Sequence, residues 1–229
     1  RLVRNDRVVW AASMVACGDA DGAVTGNTRR FGASFEKITQ VVGARNNEIM
    51  FGLNMIVFKG KTIFVADTSV HEYPSSEEMS EIAISAARVV RLFGIDPKVA
   101  FVSHSTFGQP LTSRTKHIKK AVDILKDKNV DFEFDGDMQP DVALNDEYKD
   151  LYPFSNIVGN ANILIMPGQH SAAISYKMLK TLGDTKVIGP LLIGLGLPIE
   201  IAPLRTSTSE LINLASIAAY SADKIDYKK

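Results

Sequence analysis

Cysteine is nearly absent from this sequence: its 229 residues contain one, Cys17. A lone cysteine excludes an intrachain disulfide framework and any multi-cysteine metal site, and it fits a reducing compartment. A charge imbalance is also missing. Lys and Arg number 26 and Asp and Glu number 26, so the basic excess of a general nucleic-acid or anionic-membrane binder is not there. Only a local basic pocket is left open. Long apolar runs are lacking too. The most apolar stretch, 187–202, is broken by Gly189, Pro190, Gly194, Gly196 and Pro198, and reads as buried strand and turn. The first seven residues include no initiator Met, and the apolar stretch that follows is interrupted by Ser13, Gly18 and Asp19. That is neither a signal peptide nor a membrane span, and the expectation is a cytoplasmic chain that is a fragment of something longer. No internal repeat, G-x-G-x-x-G or Walker A loop is present, so the chain shows no nucleotide-cofactor motif of its own.

What is present is an ordinary globular composition, 45% apolar and 23% charged, in a length that suits one large domain or two smaller ones. Short β-rich runs at 53–58, 62–66, 99–102, 130–134, 163–166 and 199–201 alternate with helical runs, the pattern of an α/β protein with a mainly parallel sheet. Lys59-Gly60-Lys61 joins the first two strands as a hairpin turn. The clearest helix covers 76–93: Ser75 and Glu78 form a capping box, Met79, Ile82, Ala83, Ala86, Val89, Val90 and Phe93 mark the apolar face, and Gly94 stops it. Further helices are expected at 113–128, 141–151, 171–182 and 207–222.

Ligands of such sheets bind at the carboxyl ends of strands, where loops turn into helices. Three loops qualify: 103–110, 167–171 and 203–207. In the first, Ser103, Ser105, Thr106 and Gly108 could approach phosphate oxygens, or simply make a turn. In the third, Arg205 precedes Ser207, which with Glu210 forms another capping box; an anion site and a surface arginine beside a capped helix fit equally well. Asp135, Asp137 and Asp141 lack the calcium-loop spacing, and a turn at Gly136 with Asp141 as a helix cap is the simpler account. His71, His104, His117 and His170 have no metal-binding spacing, so no metal is expected in this chain. Cys17 is expected to pack within an apolar helix.

Several segments together resemble the phosphate acetyl/butyryl transferase family, the phosphotransacetylases. They are Gly18-Asp19-Ala20-Asp21-Gly22, Phe64-Val65-Ala66-Asp67, the stretch 103–108, Asp135-Gly136-Asp137-Met138-Gln139 with Asp141-Val142-Ala143-Leu144, Gly159-Asn160-Ala161-Asn162, Tyr176-Lys177-Met178-Leu179, Ile188-Gly189-Pro190-Leu191 and Ile212-Asn213-Leu214-Ala215. They run in the family's order over nearly the whole chain. Within it, Val65-Ala66-Asp67-Thr68, Ser105-Thr106-Phe107-Gly108-Gln109-Pro110, Met166-Pro167 and His170-Ser171-Ala172 look like the C-terminal domain of bacterial hybrid NADP-dependent malic enzymes.

The resemblance implies a Rossmann-like three-layer αβα fold of the isocitrate/isopropylmalate dehydrogenase type, with two subdomains around a cleft and the first βα units missing. Residues 1–52 and 197–229 would form a partial first subdomain and 53–196 the second. It further implies acetyl-CoA or CoA as ligand, held by Ser103, Ser105, Thr106, Gly108, Asn160, Ile188, Arg205 and Ser207. NADP, a divalent metal and the conversion of malate to pyruvate and CO2 would belong to a malic-enzyme region outside this chain. The expected partners are that region and a second copy, pairing as homodimers within a higher oligomer. The departures decide the functional expectation. The family's serine beside Arg205 is Leu204, its aspartate on the next helix is Leu211, and an arginine of the family falls at Glu36. A leucine accepts no thiol proton and Glu36 repels phosphate. The expectation is therefore a regulatory acetyl-CoA-binding domain without catalytic residues of its own. The alternatives are an active phosphate acetyltransferase in which Ser207 or Ser209 replaces the missing serine, and a purely structural dimerisation module.

Overall fold

The computed structural model describes residues 2–225 and 227; Arg1, Asp226, Lys228 and Lys229, which belong to the expected segments 1–52 and 197–229, lie outside the described residues. In chain order the elements are α1 (Leu2–Asn5), α2 (Arg7–Ala16), β1 (Ala23–Gly26), α3 (Phe31–Thr39), a 3-10 turn (Arg45–Asn47), β2 (Phe51–Phe58), β3 (Lys61–Ala66), α4 (Ser76–Leu92), β4 (Lys98–Val102), α5 (Ser113–Asp127), β5 (Glu133–Met138), α6 (Pro140–Leu144), a 3-10 segment (Asp146–Leu151), β6 (Ile163–Ile165), α7 (Gln169–Leu182), β7 (Lys186–Ile193), β8 (Ile199–Ala202) and α8 (Thr208–Lys224). They divide into two units, Leu53–Val187 and the pair Arg1–Gly52 with Ile188–Lys229. The chain rejoins the unit of Arg1–Gly52 at Ile188, where 197 was expected, because Leu192 and Leu195 pack with Val8, Ala12, Val15 and Ile38.

The Leu53–Val187 unit is a mixed α/β layer structure. Its strands lie in the order β5-β4-β6-β3-β2; β4–β5, β4–β6 and β3–β6 pair in parallel, and β2–β3 antiparallel. The hairpin forms because Lys59 (φ 47°) and Gly60 (φ 77°) are both left-handed, the geometry that matches the strand twist. One sheet face packs Val65, Ala100 and Leu164 against Val142 and Ala143 of α6 and Ala172 of α7. The other faces α4, where Phe64 meets Phe93 with ring centroids 5.9 Å apart. Helix α4 starts at the expected box: Ser75 Oγ accepts the Glu78 N–H at 3.1 Å, and Glu78 accepts the Ser75 N–H at 2.6 Å. Met79, Ile82, Ala83, Ala86 and Val90 are buried beneath it, the large ones contributing about 1.5–3 kcal/mol each.

Several expectations are corrected. The strand expected at 130–134 runs instead over Glu133–Met138, so Gly136 sits within β5 and not in a turn. Only glycine fits there: at φ 153° a Cβ would stand 2.7 Å from Phe101 Cβ. The helix expected at 141–151 breaks after Leu144 into a 3-10 segment, since Asn145 is extended. Gln139, not Asp141, occupies the N-cap, with Pro140 leading the helix and Asp141 accepting the Val142 N–H from inside its first turn. Cys17 caps the carboxyl end of α2 and is exposed, so it packs into no core.

The other unit pairs β1 and β8 in parallel, Ala23 opposite Ile199 through Gly26 opposite Ala202, with α2, α3 and α8 packed on them. Strand β1 was not expected from the sequence. Among the described residues no helix is long and apolar enough to cross a membrane.

Candidate functional site

In the Leu53–Val187 unit β6 lies between β3 and β4, although β4 follows β3 in sequence. That arrangement is a topological switch point, and it puts the loops after β3, β4 and β6 side by side at the carboxyl ends of their strands. Two of the three expected loops, 103–110 and 167–171, follow the neighbouring strands β4 and β6, while 203–207 belongs to the other unit.

The 103–110 loop is organised around Asp137, at the end of β5. Ser105 Oγ donates to Asp137 Oδ2, Gly108 N–H to Oδ1 at 3.0 Å, and Phe107 N–H to the Asp137 carbonyl at 2.6 Å. Ser103 Oγ lies 3.3 Å from Ser105 Oγ, and Thr106 Oγ1 accepts the Gln139 N–H at 3.2 Å. Ser103, Ser105 and Thr106 are buried. The donors that would cradle a phosphate thus already hold an internal anion, and a ligand oxygen reaching Ser105 or Gly108 must take over bonds now made to Asp137. Asn160 is not brought to this loop. Asn162, two residues on, accepts the Lys98 N–H at the amino end of β4, whereas Ser103 leaves its carboxyl end. Five strand residues, about 16 Å, separate the two ends. Asn160 Oδ1 is buried without a partner among the described residues.

The loop after β3 holds a pair that sequence reasoning missed. Asp67, buried, accepts the N–H groups of Ser69 (2.8 Å) and His71 (2.6 Å), and its Oδ2 lies 2.7 Å from His71 Nδ1. That hydrogen bond raises the His71 pKa above its ordinary value against the opposing effect of burial. The i, i+4 spacing of Asp67 and His71 in an Asp-Thr-Ser turn was the available signal.

In the other unit, β1 and β8 end side by side and their loops are tied by Asn27, also missed. Its carbonyl accepts the Arg205 N–H at 3.2 Å and its Oδ1 the Thr206 N–H at 3.0 Å. Both Asn27 and Arg205 have φ 59°. Gly26-Asn27, a turn pair, was the sequence signal. Arg205 is exposed and makes no ion pair among the described residues. Ser207 caps α8 as expected, but its hydroxyl donates to Glu210 at 2.7 Å and accepts the Glu210 N–H, so an acid already sits at this helix start. Leu204 is 52% exposed beside Arg205, and Leu211 lies half-buried on the first turn of α8. Glu36 is exposed on α3, next to Lys37, and Ile188 is half-buried on β7. Lys37 and Arg29 both bind the buried Asp6, and chiefly the Lys37 hydrogen bond holds that carboxyl well below the usual range. No group of three His, Cys, Asp or Glu able to hold a metal ion occurs among the described residues.

Comparison with known proteins matches residues 1–219 to the phosphate acetyl/butaryl transferase family. The NADP-dependent malic enzyme of Rhizobium meliloti (strain 1021) is 46% identical over 222 residues, 97% of this chain. The chain spans 29% of that enzyme's length. The phosphate acetyltransferase of Clostridium acetobutylicum is 31% identical over 98% of this chain and 70% of its own. The crystal structure of a phosphotransacetylase from Streptococcus pyogenes superposes with a TM-score of 0.87 at 28% identity, covering 94% of this chain and 67% of the other. The fold is thus the α/β fold of the phosphotransacetylases.

Proposed function

Because this chain belongs to the phosphate acetyl/butaryl transferase family, we propose that it is the family's acetyl-CoA-binding fold turned to regulation, within an NADP-dependent malic enzyme whose malate chemistry is carried out by another region. The observation that carries this reading is the company of Arg205. A free guanidinium suited to phosphate stands beside Leu204 and shortly before Leu211, and neither leucine can take the proton of the CoA thiol. Binding is retained and proton transfer is not. NADP and a divalent metal act in the malic-enzyme region. The bound acetyl-CoA alters malate oxidation by favouring one state of a cytoplasmic homo-oligomer.

Calorimetric titration of the chain with acetyl-CoA tests the binding. Arg205→Ala is expected to weaken it about tenfold or more, the worth of a charge-assisted hydrogen bond. Release of CoA from acetyl-CoA and phosphate should stay at background. Steady turnover in that assay would sink the regulatory reading.

A catalytic reading is favoured by one observation, the 31% identity to a phosphate acetyltransferase. It requires Ser207 or Ser209 to replace Leu204. Ser207 Oγ already serves the α8 cap, so Ser207→Ala would cost helix stability and, on this reading, also turnover. A structural dimerisation module, the third reading, predicts no heat with acetyl-CoA at all.

A further inference from the structure

The loops after β3 and β6 and the first turns of α4 and α5 bound a cleft of about 460 Å³, wholly within the Leu53–Val187 unit. That volume falls within the range of small-molecule pockets, roughly 300–1,000 Å³. Pro74, Ile118 and Pro167 form its apolar wall. Glu78, Arg114 and His117 are the lining side chains that carry charge near neutral pH. His117 is spent on the protein itself: its Nε2 lies 2.9 Å from the Pro74 carbonyl and its Nδ1 3.0 Å from Ser76 Oγ.

Glu78 and Arg114 each keep an unused edge. One Glu78 oxygen, Oε2, accepts the Ser75 N–H at 2.6 Å, and Oε1 has no hydrogen-bond partner among the described residues. The Arg114 guanidinium lies 5.3 Å from the centre of the Tyr73 ring and makes no ion pair among the described residues. Stacking on a ring face leaves the N–H fork of a guanidinium open to a carboxylate. Tyr73 is in turn stacked on His170, with centroids 6.1 Å apart, and His170 Nε2 stands 3.0 Å from Glu72 Oε1. The cation thus rests on a ring that is already held. The neighbouring acids are occupied elsewhere, Glu77 with Lys120, Glu72 with His170 and Asp67 with His71. The lining therefore offers one available anion and one available cation beside an apolar wall.

We propose that this cleft binds a free α-amino acid with an apolar side chain, its carboxylate on Arg114, its ammonium on Glu78 and its side chain against Pro74, Ile118 and Pro167. The two charges of such a zwitterion match the two of the lining. A phosphate or a simple carboxylic acid would meet Glu78 as well as Arg114, and a simple amine would meet Arg114 as well as Glu78. Either brings like charges together, which costs affinity. The inference is independent of the acetyl-CoA reading, which is carried by Arg205 in the other unit, and each can fail without the other.

Leucine and phenylalanine titrated into the 229-residue chain test it, read by calorimetry and by the amide shifts of Ser75, Glu78 and Arg114. Two partial analogues of leucine are the controls: isocaproate lacks the ammonium and isoamylamine lacks the carboxylate. Leucine is expected to bind, and each analogue about tenfold more weakly, the worth of one charge-assisted hydrogen bond. Arg114→Gln should weaken leucine by a similar factor without weakening isoamylamine. Glu78→Gln preserves the α4 capping box, which takes glutamine as well as glutamate at this place. It should weaken leucine while leaving isocaproate no weaker, so that the preference for the amino acid over its deaminated analogue disappears. Arg114 is exposed and the Glu78 variant keeps the helix start, so neither should lower the thermal midpoint. Absence of binding by both amino acids at millimolar concentration, leucine held no more tightly than isocaproate, or binding that both variants leave intact overturns the proposal.

Discussion

Glu200 ties the stability of this protein to pH. It lies on β8 opposite Val24, buried, and its Oε2 accepts the Leu192 N–H at 2.9 Å. Burial pushes its carboxyl up to about 8 from 4.5. Between those values the folded chain holds a proton that the unfolded chain has released, so stability falls as pH rises, by at most about 1.4 kcal/mol per pH unit. His71 acts in the same direction, since its pKa is raised by Asp67: its contribution is complete below 6.5 and is lost as pH climbs through the folded value. Glu200→Gln keeps the shape and an acceptor without the ionisation. Urea unfolding between pH 5 and 8 should show a shallower decline for this variant than for the parent. Asn54 is a second buried polar group, fully enclosed on β2 with neither Oδ1 nor Nδ2 partnered among the described residues. Exchanging it for an apolar strand former removes an uncompensated desolvation cost. Asn54→Val is expected to gain about 1 kcal/mol in the same unfolding measurement.

At the scale of elements, local chemistry was legible wherever it acts alone. The Ser75–Glu78 and Ser207–Glu210 boxes both form, and the hairpin turns at Lys59-Gly60. Ser75→Ala should therefore cost about 1 kcal/mol in thermal or urea unfolding, because the Glu78 N–H loses its acceptor in a half-buried setting. Elements set by their neighbours were not legible. Strand β5 reads as a turn, since Asp135-Gly136-Asp137 is turn chemistry; pairing with β4 and the close approach of Phe101 make it a strand. Strand β1 is four residues long, with no fully buried position to betray it, and exists through its pairing with β8, some 175 residues away in sequence. The 141–151 helix breaks because extended Asn145 closes α6. Its Oδ1 then accepts the Glu147 N–H, the local competition with helical bonding that asparagine offers.

For the whole molecule, the question is what covers its exposed apolar surface. Ile174, Met178 and Leu182 recur every four residues along α7, all exposed, and Ala172 is the helix's one buried side chain among the described residues. The homodimer proposed above would cover such a stripe. Met178→Glu is then expected to shift the chain toward monomer in sedimentation velocity while leaving its far-UV spectrum unchanged. A parent chain that sediments as a monomer at tens of micromolar would refute pairing through this domain. Of the candidate site, the Ser207 cap was read from sequence as it stands. The 103–108 loop was read correctly as rich in donors but not as already committed to Asp137, since that carboxylate arrives from 29 residues further on. Asn160 was grouped with that loop by resemblance, and strand polarity places it at the opposite end of the sheet. The missing cysteines and the balanced charge settled composition-level matters alone: no disulfide framework, no general basic surface. The sequence by itself determined the α/β class, the Ser75 and Ser207 caps and the family, because periodicity, capping and ordered motifs are short-range in the chain. Only the tertiary structure decided which donors are spent and which polar groups are buried, because those depend on long-range pairing and on the desolvation that burial imposes.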